Sequence, residues 1–185
     1  MIIKRLFDIV VSALGLLFLA FFLLFIILFS SIDTQSTGLF TQKRVGQYGK
    51  PFTIFKLRTI HPKTGNISKL GKWLRRYKID ELPQLLNVLL GSMSIVGPRP
   101  DIEGYYDQLQ GEERKILNLK PGLTSPAALK YLNEEYLLNQ HPNPQHYNDS
   151  IIFPDKVKMN LEYYHNQSLR YDLKIIAQTI QKLLF

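Results

Sequence analysis

The residues best placed to do chemistry stand together in Lys78-Ile79-Asp80-Glu81-Leu82-Pro83-Gln84. Asp80 immediately precedes an apolar helical pattern, and Pro83 falls in its first turn, where proline is tolerated. Two readings fit this pattern. In the first, Asp80 caps the helix and Glu81 complements its dipole. In the second, unpaired N–H groups at the helix start favour negative charge, so Asp80 stays ionised and can act as a nucleophile. The same N–H groups could help neutralise an incoming phosphate. Adjacent carboxylates also suit Mg²⁺, which takes one or two carboxylates together with substrate phosphates. Asp80 and Glu81 are thus both the candidate catalytic pair and the candidate metal ligands.

The second cluster is Gly97-Pro98-Arg99-Pro100. Each proline fixes its own φ, and Pro100 biases Arg99 toward extended backbone. A guanidinium on so stiff a loop suits bidentate phosphate binding, or else bonds to backbone carbonyls. In Phe52–Thr59, strand alternation puts Lys56 and Arg58 on one face, either solvated or turned to an anionic ligand. His61, His141, His146 and His165 show no metal-ligand spacing and read as surface or loop residues. Gly46-x-x-Gly49 lacks the Lys-Ser/Thr of a phosphate loop, and Ser94 lacks a Gly-x-Ser-x-Gly elbow.

The elements that position these groups begin with an uncharged run of 24 residues, Ile9 to Ile32. As a helix it is about 36 Å long, enough for the ~30 Å hydrocarbon core. It is longer than the apolar part of a secretory signal and is read as a retained membrane anchor. Lys4 and Arg5 precede it, while Lys43, Arg44 and Lys50 follow. The heavier basic flank places the rest of the chain in the cytoplasm. Both flanks are basic, so re-entry on one face and a full span both fit.

Thr34 to Ile79 holds eleven Lys or Arg and no Asp or Glu, in a chain of net charge +8. A basic belt after an anchor attracts anionic lipid headgroups. It equally suits a polyanionic substrate such as a diphosphate, whereas a nucleic-acid arm sits poorly beside a membrane tether. The chain of 185 residues has no cysteine, which removes disulfides, thiolate metal sites and cysteine nucleophiles.

The expected architecture is α+β and mainly helical. An anchor over 1–33 joins a small catalytic domain over 34–185. A hairpin pairs Leu39–Val45 with Phe52–Thr59. Helices are expected over Leu70–Tyr77, Leu82–Leu90, Glu103–Leu117, Asp155–Asn166 and Leu169–Phe185, with loops over 61–68 and 139–149. In the last helix, Leu173, Ile176, Ala177, Ile180 and Leu184 form an amphipathic stripe, expected in the core or else on a bilayer.

In this combination the chain resembles the bacterial sugar transferases that act as short, monotopic polyprenyl-phosphate phosphoglycosyltransferases. The matching pieces run in order along nearly the whole chain. They are Lys4-Arg5-x-Phe7-Asp8; Phe40-Thr41-Gln42-x-Arg44-x-Gly46; Phe52-x-x-Phe55-Lys56-x-Arg58-Thr59; Leu74-Arg75 and Asp80-Glu81-Leu82-Pro83-Gln84; Asn87-Val88-Leu89-x-Gly91-x-Met93-Ser94-x-Val96-Gly97-Pro98-Arg99-Pro100; Lys120-Pro121-Gly122-x-Thr124; and Asp172-Leu173-Lys174. The resemblance implies transfer of a phosphosugar from a UDP-sugar to undecaprenyl phosphate, with release of UMP, on the cytoplasmic face of the bacterial plasma membrane. It implies that Asp80 is the nucleophile, forming an aspartyl phosphosugar, and that Glu81 assists through Mg²⁺ or as a base. It further implies that Arg99 clamps phosphate, with Lys56, Arg58 and Arg44 as further contacts to the anionic substrates. Two copies could pair through the anchor or the last helix.

Several positions depart from the family pattern. The anchor reads Ala20-Phe21 where a Ser-Pro break is usual. Ser92 stands for an acid in the usual Gly-Asp-Met-Ser, Ser125-Pro126-Ala127-Ala128-Leu129 replaces Gly-x-Ala-Gln-Val, and Asn160 stands where Asp is common. The competing readings are a non-catalytic adaptor that holds anionic lipid, and a glycosyltransferase that releases UDP.

Overall fold

A computed structural model describes residues 2–184. The fold is mainly helical, with two small two-stranded sheets. Helix α1 runs unbroken over Ile2–Thr34. Its faces are sharply divided. Asp8, Ser12, Leu23, Ser30 and Thr34 are buried against the rest of the chain. Leu17, Phe18, Phe21, Leu24, Phe25 and Leu28 are exposed. The inward hydroxyls of Ser12 and Thr34 bond back to the carbonyls of Asp8 and Ser30, at 2.6 and 2.7 Å, which satisfies them without outside partners.

Both ends of α1 are held by the same globular body. Near the start, Lys4 pairs with Asp172 at 2.5 Å, and Asp8 accepts from the Ile95 N–H at 3.0 Å. Near the end, Ser30 donates to the Arg58 carbonyl, and Ser68 donates to Asp33 at 2.5 Å.

Strands β1 (Leu39–Val45) and β2 (Pro51–Leu57) form the expected antiparallel hairpin, in register from Leu39↔Leu57 to Val45↔Pro51. β2 stops two residues short of the expected end. Helix α2 spans Lys69–Arg76 and is capped by Ser68, whose Oγ accepts from the Gly71 N–H at 2.9 Å. The expected helix over Leu82–Leu90 divides into a 3₁₀ stretch, Ile79–Gln84, and helix α3, Leu85–Leu90, which Gly91 ends at φ 95°. Asn87 of α3 accepts from the Phe55 N–H at 3.0 Å and donates to the Thr53 carbonyl at 2.7 Å, which fastens β2 to α3.

A second sheet has no counterpart in the sequence reading. Strand β3 (Ser94–Val96) pairs in parallel with β4 (Gly122–Thr124). The backbones touch at their glycines: a Cβ on Gly122 would lie 2.1 Å from the Gly97 nitrogen. Helices α4 (Pro126–Lys130) and α5 (Glu134–Asn139) follow.

Three expectations are corrected. The helix over Glu103–Leu117 is replaced by 3₁₀ turns at Tyr106–Gln108 and Glu113–Asn118. Gly104 and Gly111 adopt φ of 101° and 55°, which an α-helix does not allow. The loop over 139–149 instead holds helix α6 (Pro144–Tyr147) and the start of a π-helical turn, Asn148–Ile152, which leads into α7 (Phe153–Asn166). Pro154 cannot bond to the carbonyl four residues back, which accounts for the wider turn there. In α8 (Leu169–Leu184) the buried residues are Asp172 and Ile175. Leu173, Ala177, Ile180 and Leu184 of the predicted stripe face outward, while Ile176 is half-buried. The inward side carries Asp172, which meets Lys4 and Tyr163, and Ile175, which packs in the core.

The main core gathers Ile54, Val88, Met93, Val96, Tyr163 and Ile175, with Val11, Leu16 and Leu19 of α1 packed on it. A smaller cluster around Val45, Tyr106, Ile116 and Val157 backs the far wall of the site.

Candidate active site

β2, the 3₁₀ stretch and the loop after β3 meet around a cavity of about 290 Å³. Glu81 is part of its lining. Arg99 grips the Glu81 carboxylate fork to fork, with Nη1 3.1 Å from Oε2 and Nη2 on Oε1. Lys56 Nζ adds a third donor, 3.1 Å from Oε1. Burial alone would raise the Glu81 pKa, but Arg99 and Lys56 reverse this and hold it well below the usual carboxylate range. Arg99 is pushed up in turn, chiefly by Glu81. Burial lowers Lys56, against the pull of Glu81.

Asp80 behaves differently from its neighbour. It is 8% exposed, and its Oδ1 has no hydrogen-bond partner among the described residues. It sits inside the 3₁₀ stretch, whose N-cap is Lys78, so the capping reading does not describe it. Lys78 itself adopts φ 56°, a left-handed conformation uncommon for a side-chain-bearing residue. Burial raises the Asp80 pKa and the Glu81 charge raises it further, while Lys56, Lys78 and Arg75 oppose. The helix start favours the charged form of Asp80, and burial and Glu81 act against it.

The far side of the cavity is set by the loop after β3 and by the helices. Arg44, on β1, donates to Gln42 at 2.7 Å and lies 3.7 Å from Asp101, yet its buried Nε has no partner among the described residues. Lys156 of α7 pairs with Glu134 of α5 at 2.6 Å. Tyr105, Tyr106 and Asn148 also line the space. Asn160 lies behind Tyr106 and donates to its hydroxyl at 2.8 Å, leaving Oδ1 without a partner among the described residues.

Of the predicted residues, the structure brings Lys56, Glu81, Arg99 and Arg44 together on the cavity wall, with Asp80 adjoining through Glu81. Arg58 is not among them. It follows the end of β2, donates from Nε to the Thr37 carbonyl at 2.8 Å and stacks over Phe40. Sequence reasoning missed Asp101, Tyr105, Glu134 and Lys156. Asp101 and Tyr105 come from the loop after β3, Glu134 from α5 and Lys156 from α7, and only the Asp101 position beside Pro100 offered a local signal.

Among the described residues no three or more His, Cys, Asp or Glu side chains form a metal-holding group. The donor set still fits Mg²⁺ in its open form, which needs few protein ligands. The Asp80 Oδ1 is unclaimed, whereas both Glu81 oxygens are engaged by cations.

The cavity therefore gathers Arg44, Lys56, Arg99 and Lys156, cations suited to an anionic ligand, and Asp80 lies next to it in the chain through Glu81 without lining it. Residues 1–185 match the family of bacterial sugar transferases. The chain is 34% identical over 194 residues to an uncharacterized sugar transferase, EpsL, of Bacillus subtilis (strain 168), covering 100% of this chain and 88% of that one. It is 33% identical over 196 residues to a UDP-glucose:undecaprenyl-phosphate glucose-1-phosphate transferase of Caulobacter vibrioides, covering 98% of this chain and 69% of that protein. It is 33% identical over 199 residues to the exopolysaccharide production protein PSS of Rhizobium leguminosarum bv. phaseoli, covering 97% and 94%.

Proposed function

This chain belongs to the bacterial sugar transferase family, and from that premise and the geometry of the cavity we propose that it moves a sugar phosphate from a UDP-sugar to undecaprenyl phosphate. The observation that carries the reading is the unpartnered, buried Asp80 oxygen beside a carboxylate already saturated by Arg99 and Lys56. Two neighbouring acids in such different environments have different roles. Glu81 organises cations. Asp80 is left free to react.

In the first step an Asp80 carboxylate oxygen attacks the β-phosphorus of the donor. The bond from that phosphorus to the bridging oxygen breaks, and UMP departs with the electron pair. In the second step a phosphate oxygen of undecaprenyl phosphate attacks the same phosphorus. The Asp80–phosphorus bond breaks, and the carboxylate is regenerated. In this reading Arg99 and Lys56 stabilise charge on the transferred phosphoryl group, with Arg44 as a further contact; their shared place on the cavity wall supports it. Mg²⁺ would be held by Asp80, with Glu81 sharing once its cations turn to substrate, and would supply further charge neutralisation to the diphosphate.

The acceptor in this reading is a lipid, and the exposed apolar face of α1 supports a position of the body at a membrane. The reading has both ends of α1 and the catalytic body on the cytoplasmic face, with the basic residues of α2 toward anionic headgroups. Purified protein in nanodiscs, given Mg²⁺, undecaprenyl phosphate and a panel of UDP-sugars, is expected to release UMP with at least one donor. Asp80→Asn is expected to abolish that release. Release of UDP in place of UMP overturns the phosphosugar transfer.

A further inference from the structure

We propose that the first two turns of α1 position Arg99, which makes the apolar helix a working part of the site as well as a tether; this rests on the reading of Arg99 as a phosphate-holding group. Among the described residues β3 has a single partner strand, β4. Backbone groups of β3 are also met by side chains from elsewhere. The Ile95 N–H donates to Asp8 at 3.0 Å, and the Val96 carbonyl accepts from Lys4 at 3.0 Å. Lys4 and Tyr163 converge on Asp172, at 2.5 and 2.6 Å. Asp8, Tyr163 and Asp172 are at most 2% exposed. A buried polar network in which every member has a partner is rigid.

Arg99 follows three residues after Val96. The backbone between them has little freedom. The Gly97 N–H donates to the Thr124 carbonyl at 2.9 Å, and the Pro98 carbonyl accepts from the Gly122 N–H at 2.8 Å. Pro98 and Pro100 fix their own φ. β3 is thus held by β4 and by the start of α1, and the guanidinium leaves from the end of that clamp. Lys4, Asp8, Tyr163 and Asp172 are positioning residues: they touch no part of the cavity, and they act through β3.

The test uses the full chain in nanodiscs and compares Lys4→Met, Asp172→Asn and the milder Tyr163→Phe, each alone and combined with Arg99→Ala. Singly, Lys4→Met and Asp172→Asn are expected to lower kcat/KM for UMP release, per folded molecule, by about tenfold or more, and Tyr163→Phe by about threefold. In the Arg99→Ala background each is expected to add less than about twofold, because the group being positioned is gone. A purely structural role predicts a smaller folded fraction with an unchanged rate per folded molecule, or losses that multiply with Arg99→Ala; either result overturns the proposal. Hydrogen exchange gives a reading independent of turnover. Residues 93–101 are expected to exchange about tenfold faster in the variants while α7 stays as in the wild type. Unchanged exchange at 93–101, or a uniform rise across the chain, overturns the clamp. Should the wild type release UMP from no donor, the proposed reaction fails, and the exchange comparison still decides the clamp.

Discussion

Asp80 and Glu81 are adjacent in sequence, yet their environments push their protonation in opposite directions. The Asp80 pKa is raised in the folded state by burial and by Glu81. Its stabilising contribution is therefore complete below the ordinary value near 3.8 and is lost as pH rises through the folded value. At neutral pH the ionised Asp80 is a liability to the fold. Asp80→Asn is expected to cut turnover by about 10³-fold or more and to raise stability by about 1–2 kcal/mol, about 2–8 °C in Tm. Thermal unfolding of both proteins at neutral pH checks this, and a lower Tm for the Asn variant would mark Asp80 as a structural acid. Turnover of the wild type should climb as pH rises through the Asp80 value, because the nucleophile must be ionised. The cations divide in the same residue-by-residue way. Lys56→Met removes a donor from Glu81 and from the cavity and is expected to slow UMP release by about tenfold or more. Arg58→Ala should stay within about twofold, since Arg58 is spent on the Thr37 carbonyl. Strand alternation placed these two side by side, but the strand ends at Leu57, and the parity argument ends with it. The acidic pair, Arg99 and Lys56 were legible because each lies in a short run with its own stereochemical signature. Lys156 and Glu134 were not, because only the fold brings them to the cavity.

At the scale of elements, the hairpin, α2 and α7 followed from pattern, and the β3–β4 pair did not. Each strand has three residues, and the two lie far apart in the chain, so no periodicity announces them. Yet this pair carries the loop of Arg99. Its tightest point is the contact between Gly97 and Gly122. A methyl group on Gly122 would sit 2.1 Å from the Gly97 nitrogen, a distance that backbone must yield to. Gly122→Ala is expected to cost about 3 kcal/mol or more and to reduce activity with it, by moving the backbone two residues before Arg99. Gly111→Ala makes the contrast. Its φ is 55° and nothing lies within 4 Å of the added carbon, so the cost should be near 1 kcal/mol, with activity per folded molecule retained. Chemical denaturation of the three proteins separates the two cases, and equal costs would mean that the glycine contact is not tight. The same scale explains one misreading and, in α8, why the core alternative fails while the bilayer one stands. The pattern over Glu103–Leu117 counted apolar spacing but not the left-handed glycines that interrupt it. The α8 stripe counted apolar residues, while the side turned inward carries Asp172 and Ile175.

For the whole molecule the question is how α1 meets a membrane, which charge counting left open. A helix of 33 residues is about 50 Å long, well beyond the ~30 Å hydrocarbon core. If it crossed, its two ends would lie at opposite surfaces. The Lys4–Asp172 pair at one end and the Ser30 and Asp33 contacts at the other could then not both bind one body that stays in water. Crossing would have to break one set. Breaking the first leaves Asp172 buried without its cation, a loss of about 3–5 kcal/mol, together with the bonds to β3. A helix that stays on one side keeps both sets and still turns Leu17, Phe18, Phe21 and Phe25 to lipid. The absence of cysteine makes the distinction measurable, because any cysteine introduced is the only one in the chain. Ile3→Cys, Ser36→Cys and Lys63→Cys are expected to react with a membrane-impermeant maleimide from the same side of sealed vesicles, the cytoplasmic one. Phe21→Cys, at the middle of the lipid-facing side, should resist the reagent until detergent is added. Labelling of positions 3 and 36 from opposite sides would mean that α1 crosses, and the contacts of Lys4 with the body would then belong to a state the membrane does not permit.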